Sequence, residues 1–346
     1  MADMERELQD GVKDALAKRR RLNIVSGSTK TFLGARIEGD AFEVSGHSGI
    51  VDYDPKELVL TARCGTPISE IESVLSCANQ MLAFEPPRFG DSATLGGTVA
   101  CGLSGPGRPY AGSVRDHVLG CRMINGRGEI LDFGGRVMKN VAGFDASRLM
   151  VGAFGTLGIL LEVSLKVLPK AVSSLTLVHA CRDPIGYLGS LSAIPLPIDA
   201  AAHVDGLCYL RLSGSEQAVM EAKQLLKGDV LAGGEVFWEG LRELELPFFD
   251  TDLPLWRIAC PPASLMPELS GDWMIDWGGA QRWLKSSAEA DEIRQKAMEV
   301  GGHATLFRGE GFMQPLAGTL LALHRNLKSA FDPEGIFNPG RLYPEF

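Results

Sequence analysis

Apolar residues recur at two different spacings along the first half of the chain, and they predict a mixture of helices and strands. Residues 5–20 follow a helical spacing, and a second predicted helix is capped by Thr66. The apolar run "ELVLTA" at 57–62 predicts a strand, and "GILLEVSLKVL" at 158–168 predicts another whose later positions alternate between apolar and polar. "HVLGCRMINGRGEILDF" at 117–133 predicts a hairpin with "NGRG" as its turn.

The second half of the chain has a more regular order of elements. "SLTLVHA" at 174–180 predicts a strand, Asp183 begins a helix, and 201–212 predicts one or two strands. Ser215 then caps a second helix, and "GEVFW" at 234–238 predicts a further strand. The resulting β-α-β-β-α-β order is typical of ferredoxin-like folds, and 255–308 is a candidate for a similar order.

Composition excludes several classes of function. The net charge is −9, from 34 Lys and Arg against 43 Asp and Glu, so a sequence-independent nucleic-acid site is not expected. Seven cysteines are an odd number and show no C-x-x-C spacing, which argues against a disulfide framework, a zinc site or an iron–sulfur cluster built by this chain alone. The first residues are charged, unlike a signal peptide, and no run of 18 apolar residues occurs. We expect a cytoplasmic protein with reduced thiols.

Glycine is concentrated in three clusters. Sixteen of the 41 glycines lie between Gly90 and Gly158. In "VSGSTKTFLG" at 25–34, a positive φ at Gly27 would let successive backbone amides form an anion-binding nest. "ATLGGTVACGLSG" at 93–105 and "VGAFGTLGIL" at 151–160 are the other two clusters. A tight turn or close strand packing explains any one of them, but the three together predict a long ligand with a polar middle, such as a dinucleotide.

The three clusters, in this order and with "FDPEGIFNPGRLY" at 331–343, resemble the p-cresol methylhydroxylase (vanillyl-alcohol oxidase) type of flavoprotein. Within that family, "KNVAGFDASRLMVGAFGTLGI" at 139–159 is most similar to the smaller FAD-binding subunit of bacterial glycolate oxidases. The resemblance is dense over 20–170 and returns in the last twenty residues, whereas the middle matches in element order alone. It implies FAD as the cofactor.

The implied fold class is α+β, a p-cresol methylhydroxylase-type FAD-binding domain followed by a ferredoxin-like α+β cap domain. We expect the FAD-binding domain at 1–170 and the cap at 171–310. We expect a C-terminal helix and an irregular, apolar tail at 311–346 that return to the FAD-binding domain.

The resemblance also implies which residues contact FAD. The pyrophosphate loop corresponds to Ser26, Gly27, Ser28, Thr29 and Lys30, and the segment along the cofactor corresponds to Thr94, Leu95, Gly96 and Gly97. The run near the flavin ring and ribityl chain corresponds to Ser104, Gly105 and Gly112, the adenine side to Gly152, Gly158 and Ile159, and the residue returning to the flavin edge to Asn338.

Three departures from the family pattern bear on activity. The pyrophosphate loop has no histidine, so we expect non-covalent FAD. "RGEGF" at 308–312 contains Glu310 but lacks the histidine of the "GEHG" segment of related hydroxy-acid dehydrogenases, and His303 is expected to be structural or at the surface. Phe154 stands where the larger subunit has a glutamate. No catalytic residue and no metal ligand is therefore assigned.

Three functions remain open at this point. The first is the FAD-binding subunit of a glycolate oxidase (glycolate dehydrogenase) complex. It would take part in oxidising a small 2-hydroxy acid, with a larger FAD-containing subunit and an iron–sulfur subunit as partners, and with at most peripheral membrane association through them. The second is a stand-alone FAD-dependent oxidase or dehydrogenase, and the third is a scaffold subunit without redox turnover. The aromatic stretch from Phe237 to Trp256 is expected to be core, with a docking surface as the alternative.

Overall fold

The computed structural model describes residues 3–135, 145–308 and 313–346, which excludes the position of Glu310. The chain divides into two compact units. Unit 1 comprises Met1–Leu103, Ser113–Pro169 and Pro315–Phe346, and unit 2 comprises Ser104–Gly112 and Lys170–Gln314.

The described residues contain both helices and strands. The helices are α1 Glu5–Ala17, α2 Ile68–Cys77, α3 Leu95–Cys101, α4 Arg108–Ala111, α5 Val114–His117, α6 Pro184–Leu191, α7 Glu216–Leu226, α8 Gly234–Arg242, α9 Ala290–Glu299 and α10 Gly318–Phe331. The strands are β1 Leu22–Val25, β2 Asp40–Glu43, β3 Ile50–Asp54, β4 Val59–Arg63, β5 Gln80–Met81, β6 Val118–Ile124, β7 Ile130–Gly134, β8 Ile159–Lys166, β9 Leu168–Pro169, β10 Ser173–Ala180, β11 Ile198–Val204, β12 Leu207–Gly214, β13 Asp229–Val230, β14 Leu255–Ala259, β15 Asp272–Asp276, β16 Gln281–Lys285 and β17 His303–Arg308.

Unit 1 is built on a five-stranded antiparallel sheet with the order β3-β4-β8-β6-β7. Its central strand β8 buries Leu161, Val163 and Leu165, because its odd positions face the core. The predicted hairpin at 117–133 is the β6–β7 pair. A separate parallel pair, β1 and β2, precedes this sheet, and the loop that follows β1 contains the first glycine cluster.

Helix α2 begins differently from the prediction. It starts at Ile68 after Pro67, and Thr66 does not cap it. The Thr66 hydroxyl instead donates to the carbonyl oxygen of Arg63 at 2.7 Å and accepts from the backbone N–H of Gly49 at 2.8 Å. The Thr66 hydroxyl oxygen, which the local pattern predicted to accept from an N–H of the helix, therefore accepts from Gly49, 17 residues earlier in the chain.

The tail, residues 332–346, lies against β1 within unit 1. The N–H of Leu22 donates to the carbonyl of Ile336 at 2.7 Å, and the N–H of Asn338 donates to the carbonyl of Leu22 at 3.0 Å. Ile336 and Phe337 are buried in one cluster with apolar residues of α1. The position of the tail is therefore determined by backbone pairing and by apolar burial.

Unit 2 contains an eight-stranded sheet with the order β13-β10-β12-β11-β15-β16-β14-β17. Its first half has the predicted β-α-β-β-α-β order, in the elements β10, α6, β11, β12, α7 and β13. The side chains of Asp183 and Ser215 cap α6 and α7 as predicted, accepting from the N–H groups of Gly186 and Ala218. The segment 255–308 lacks a helix between its first two strands, so the similar order proposed for it is incomplete.

The segment 234–238 is wrongly predicted as a strand, since it begins helix α8. Gly233, with φ +68°, turns the chain, and Trp238 and Leu241 then lie three residues apart on the buried face of the helix. The indole N–H of Trp238 donates to the Thr176 hydroxyl at 2.9 Å. The sixth element of the predicted order is the short strand β13 instead.

The aromatic stretch from Phe237 to Trp256 belongs mostly to the core of unit 2. Trp256 is 2% exposed, and Phe248 and Phe249 are also buried. The ring of Phe249 packs edge-on against that of Trp283, with centroids 5.4 Å apart. A docking surface centred on Trp256 is therefore excluded, because the indole is inside the unit.

None of the helices in the described ranges is long and apolar enough to cross a membrane.

Candidate cofactor site

A cavity of about 600 Å³ lies in unit 1. Its walls are the loop after β1, the start of α3, the segment 150–160 and two residues of the tail. The predicted cofactor residues that line it are Ser26, Gly27, Ser28, Thr29, Lys30, Thr94, Gly96, Gly97, Gly158, Ile159 and Asn338. The fold thus brings four distant stretches of the sequence to one cavity.

The loop after β1 presents backbone donors. Within the described part of the chain, the N–H groups of Gly27, Ser28 and Thr29 donate no hydrogen bond. Ser28 adopts φ +55°, a left-handed conformation in which consecutive amides can point to one side. The loop therefore offers a group of unused donors, which is suited to an anion.

The reason for glycine at position 27 differs from the prediction. The positive φ of this loop occurs at Ser28, and Gly27 is not among the positive-φ residues of the described chain. A Cβ at Gly27 would lie 1.7 Å from the carbonyl oxygen of Ser92, whose hydroxyl donates to the carbonyl of Gly27 at 2.7 Å. Glycine is required here because the backbone at Ser92 passes directly against it.

The first loop is hydrogen-bonded to the second glycine cluster. The hydroxyls of Ser26 and Thr94 are 2.9 Å apart, and Thr94 caps α3 by accepting from the N–H of Gly97 at 3.3 Å. Gly96 packs against Cys64, the residue that follows β4, since a Cβ there would lie 2.8 Å from that of Cys64. At Gly97, by contrast, a Cβ would have the Thr94 hydroxyl as its only neighbour within 4 Å among the described residues outside its chain neighbours and helix backbone. Of these two glycines, Gly97 is therefore the one whose missing side chain leaves space in the cavity.

The third glycine cluster is held in place by the tail. The Asn338 side chain accepts from the N–H of Ile24 at 2.8 Å and donates to the carbonyl of Phe154 at 2.7 Å. A Cβ at Gly155 would lie 2.7 Å from the Asn338 amide nitrogen. Asn338 therefore joins two walls of the cavity, a structural role in addition to any contact with a ligand.

The charge on the cavity wall has a single sign. Among the described residues, three cations line it, namely Lys30, Arg36 and Arg341, and no Asp or Glu does. This excess is local, since the whole chain carries −9. The Lys30 ammonium donates to the carbonyl of Arg88 at 3.1 Å and is largely buried. An anionic ligand is favoured at this wall by the net positive potential.

Two cysteines that line the cavity, Cys64 and Cys101, have thiols with raised pKa values. Burial raises the pKa of the Cys101 thiol to about 11, although the charges of Lys30 and Arg341 act in the opposite direction. Burial likewise raises the pKa of the Cys64 thiol well above its usual value. Both thiols are neutral at pH 7, so neither adds negative charge nor acts as a thiolate nucleophile.

Five predicted residues do not line this cavity. Leu95 is fully buried in the core of unit 1, and Gly152, with φ +77°, donates from its N–H to the carbonyl of Val99. Ser104, Gly105 and Gly112 belong to unit 2, where the indole N–H of Trp277 donates to the carbonyl of Gly105 at 3.0 Å. Their assignment to the cofactor stays a prediction.

Two cations of the cavity wall, Arg36 and Arg341, are not predicted by the sequence patterns. Arg341 belongs to the matched segment "NPGRLY", so its signal is present beside Asn338. Its contacts, to residues 31–35, lie about 300 positions away in the sequence, and no local pattern indicates them. Arg36 follows the glycine-rich loop and carries no motif of its own.

The lining fits FAD on chemical grounds. A group of unused N–H donors beside three cations suits a diphosphate, and the glycine and apolar wall from Gly96 to Leu160 suits ring systems that lie against backbone. Among the described residues, no group of three or more His, Cys, Asp or Glu side chains is arranged to hold a metal ion.

Comparisons with known proteins agree with this chemistry. The model of an FAD binding domain matches residues 1–134, and that of the C-terminal domain of FAD linked oxidases matches residues 274–342. Glycolate oxidase subunit GlcE of Escherichia coli (strain K12) is 48% identical over 346 residues, covering 99% of this chain and 98% of the relative.

More distant relatives cover parts of the chain. D-lactate dehydrogenase of Archaeoglobus fulgidus is 23% identical, covering 84% of this chain and 79% of the relative. Glycolate oxidase subunit GlcD of Bacillus subtilis (strain 168) is 32% identical over 130 residues, which is 37% of this chain and 27% of the relative. A solved structure of alkyldihydroxyacetonephosphate synthase is similar in fold, with a TM-score of 0.67, 16% identity, and coverage of 96% of this chain and 74% of that one.

Proposed function

The chain belongs to the FAD-linked oxidase family, and on that basis we propose that it is the FAD-binding subunit of a glycolate oxidase complex that oxidises glycolate to glyoxylate. The predicted family, the fold class and FAD as the cofactor are confirmed by the two family models and by the near-full-length relative. The proposal is carried by one observation in this chain, which is the cavity in unit 1 whose wall combines unused backbone donors with three cations.

The residues of unit 1 bind and orient the cofactor. The amides of 27–29 and the lining cations would hold the diphosphate, and Gly97 leaves room for the cofactor to lie against the start of α3. Bound FAD supplies a two-electron acceptor for an alcohol substrate. The contribution of this chain is to hold that acceptor in an extended groove and to shield it from water.

The proposal includes two partners. The GlcE relative is named as one subunit of a glycolate oxidase, and a larger FAD-containing subunit similar to GlcD is the first expected partner. An iron–sulfur subunit is the second, because the cysteine spacing of this chain provides no cluster ligands. Electrons would leave the flavins through that subunit.

We expect the isolated chain to turn over glycolate poorly. Support comes from the missing "GEHG" histidine and from Phe154 at the position of a glutamate in the larger subunit. The test compares the absorption spectrum of the isolated chain before and after anaerobic glycolate, and then after adding the partner subunits. A yellow protein that bleaches only with partners agrees with the proposal. Brisk turnover by the chain alone would indicate a stand-alone enzyme, and a colourless chain would indicate a scaffold.

The flavin is expected to be bound without a covalent link. The loop 26–30 has no histidine, and the two cysteines on the cavity wall are neutral at pH 7. Acid precipitation should therefore release all of the yellow colour into the supernatant, where it is measured by absorbance. Colour that stays with the pellet would contradict this prediction.

A further inference from the structure

Arg341 is a half-buried cation of the cavity wall, and its hydrogen-bond acceptors in the described chain are neutral. Its guanidinium donates to the carbonyls of Ala35 at 2.9 Å and Thr31 at 3.2 Å, and both acceptors are neutral. Over the described part of the chain no carboxylate lies within ion-pair distance of it. Burial lowers the pKa of Arg341, but an arginine remains charged at pH 7 despite such a shift. Arg341 is half-buried, so its charge is partly withdrawn from water and an anion beside it would be favourable.

The backbone at Arg341 also closes the loop that contains the anion-binding amides. The N–H of Ala35 donates to the carbonyl of Arg341 at 2.9 Å, so side chain and main chain both hold residues 31–35. Gly34, with φ +79°, allows this close approach, because a Cβ there would lie 2.8 Å from the Arg341 carbonyl oxygen. The tail is therefore hydrogen-bonded, through Arg341, to the end of the loop that follows β1.

Arg341 and Lys30 act on the same part of the cavity. The charges of both residues lower the pKa of the Cys101 thiol against the larger effect of its burial. Cys101 lines the cavity beside Ala100. The Arg341 guanidinium donates to the carbonyl of Thr31, the residue that follows Lys30, and both cations line the cavity, so one anionic group there can interact with both charges.

From these contacts we propose that Arg341 binds the diphosphate of FAD and that binding of this anion stabilises the docked tail. This inference rests on the proposed function, because it takes FAD as the ligand. It adds a specific role for residues 332–346, whose docking becomes coupled to cofactor occupancy. The coupling is reciprocal, so a tail that cannot dock weakens FAD binding.

The test measures equilibrium binding to the apo chain. Flavin fluorescence titration yields the Kd for FAD, and competition yields the Kd for ADP and for adenosine, which lacks the diphosphate. For Arg341→Met we expect FAD and ADP to bind about 10- to 100-fold more weakly, the usual range for a hydrogen bond to a charged group. Adenosine should be unaffected, and Arg341→Lys should recover part of the loss. Arg308→Met is the control, since Arg308 also donates to a backbone carbonyl, that of Phe249, but lies in unit 2.

Hydrogen–deuterium exchange provides the second readout. FAD should slow exchange of residues 332–346 in the unaltered chain and have little effect on them in Arg341→Met. If Arg341→Met does not fold, the Kd for FAD is instead measured at increasing salt concentration, for the unaltered chain and for Arg341→Lys. A Kd that does not change with salt would overturn the proposal. Equal losses for adenosine and ADP, or a Kd for FAD within twofold of the unaltered chain, would also overturn it. Failure of the unaltered chain to bind FAD at all would instead refute the proposed function.

Discussion

The substitution Gly97→Val is expected to yield a folded but colourless protein. Gly97 lines the cavity. Among the described residues outside its chain neighbours and helix backbone, a Cβ there would meet only the Thr94 hydroxyl within 4 Å, at 3.3 Å. The valine methyl groups would therefore occupy space needed by the cofactor, while among the described residues the added Cβ makes one tight contact, with the Thr94 hydroxyl. Overpacking costs about 1–3 kcal/mol, which corresponds to roughly 5- to 150-fold in affinity before lost cofactor contacts are added.

Flavin content per chain, measured by absorbance after purification, checks this expectation. Gly189→Val is the matched control, since Gly189 also lies in a helix, α6, and a Cβ there would meet no atom within 4 Å. It belongs to unit 2 and is not among the residues that line the cavity, so it should retain full flavin. Equal flavin content in both variants would mean that Gly97 does not face the cofactor and that the cofactor lies elsewhere.

Replacing Lys328 by methionine is expected to destabilise unit 1 strongly. The Lys328 ammonium uses all three of its protons, donating to the carbonyls of Thr156 and Phe337 and to the carboxylate of Asp332, at 2.7–2.8 Å. Lys328 and Asp332 are 5% and 1% exposed. Removing the ammonium leaves a buried carboxylate without its counter-charge, which typically costs about 3–5 kcal/mol.

The measurement is the thermal midpoint by circular dichroism, where this loss corresponds to a decrease on the order of 10 °C. Lys18→Met is the control, since Lys18 pairs with Asp14 at the same i, i+4 spacing but is 62% exposed. An exposed pair contributes about 0–1 kcal/mol, so its midpoint should hardly move. FAD binding should also weaken in Lys328→Met, because Phe337 immediately precedes Asn338. Equal midpoints for the two variants would contradict a role for this ion pair in holding the tail.

Local features of the structure are well predicted because their causes are local. Asp183 and Ser215 cap helices because a side-chain oxygen reaches an N–H three residues on. The hairpin at 117–133 follows from an "NGRG" turn between two apolar runs. The strand prediction at 234–238 is wrong because the apolar residues of this segment suit a strand as well as a helix. The helix is the form in which Trp238 packs against Thr176, a contact that is distant in sequence.

The family, the FAD cofactor and most of the cavity wall follow from the amino-acid order alone, because a cofactor that touches backbone leaves glycines in a recognisable order. That order does not reveal why each glycine is needed. Gly27 makes room for Ser92, and Gly96 makes room for Cys64, whereas Gly97 alone of these three has open space on the cavity side.

Long-range packing places Arg341 against the loop at 31–35 and encloses Trp256 in the core. Contacts between residues hundreds of positions apart depend on how β1, the sheet of unit 1 and the tail pack together. No local pattern encodes that packing, since burial and charge compensation are properties of the assembled chain.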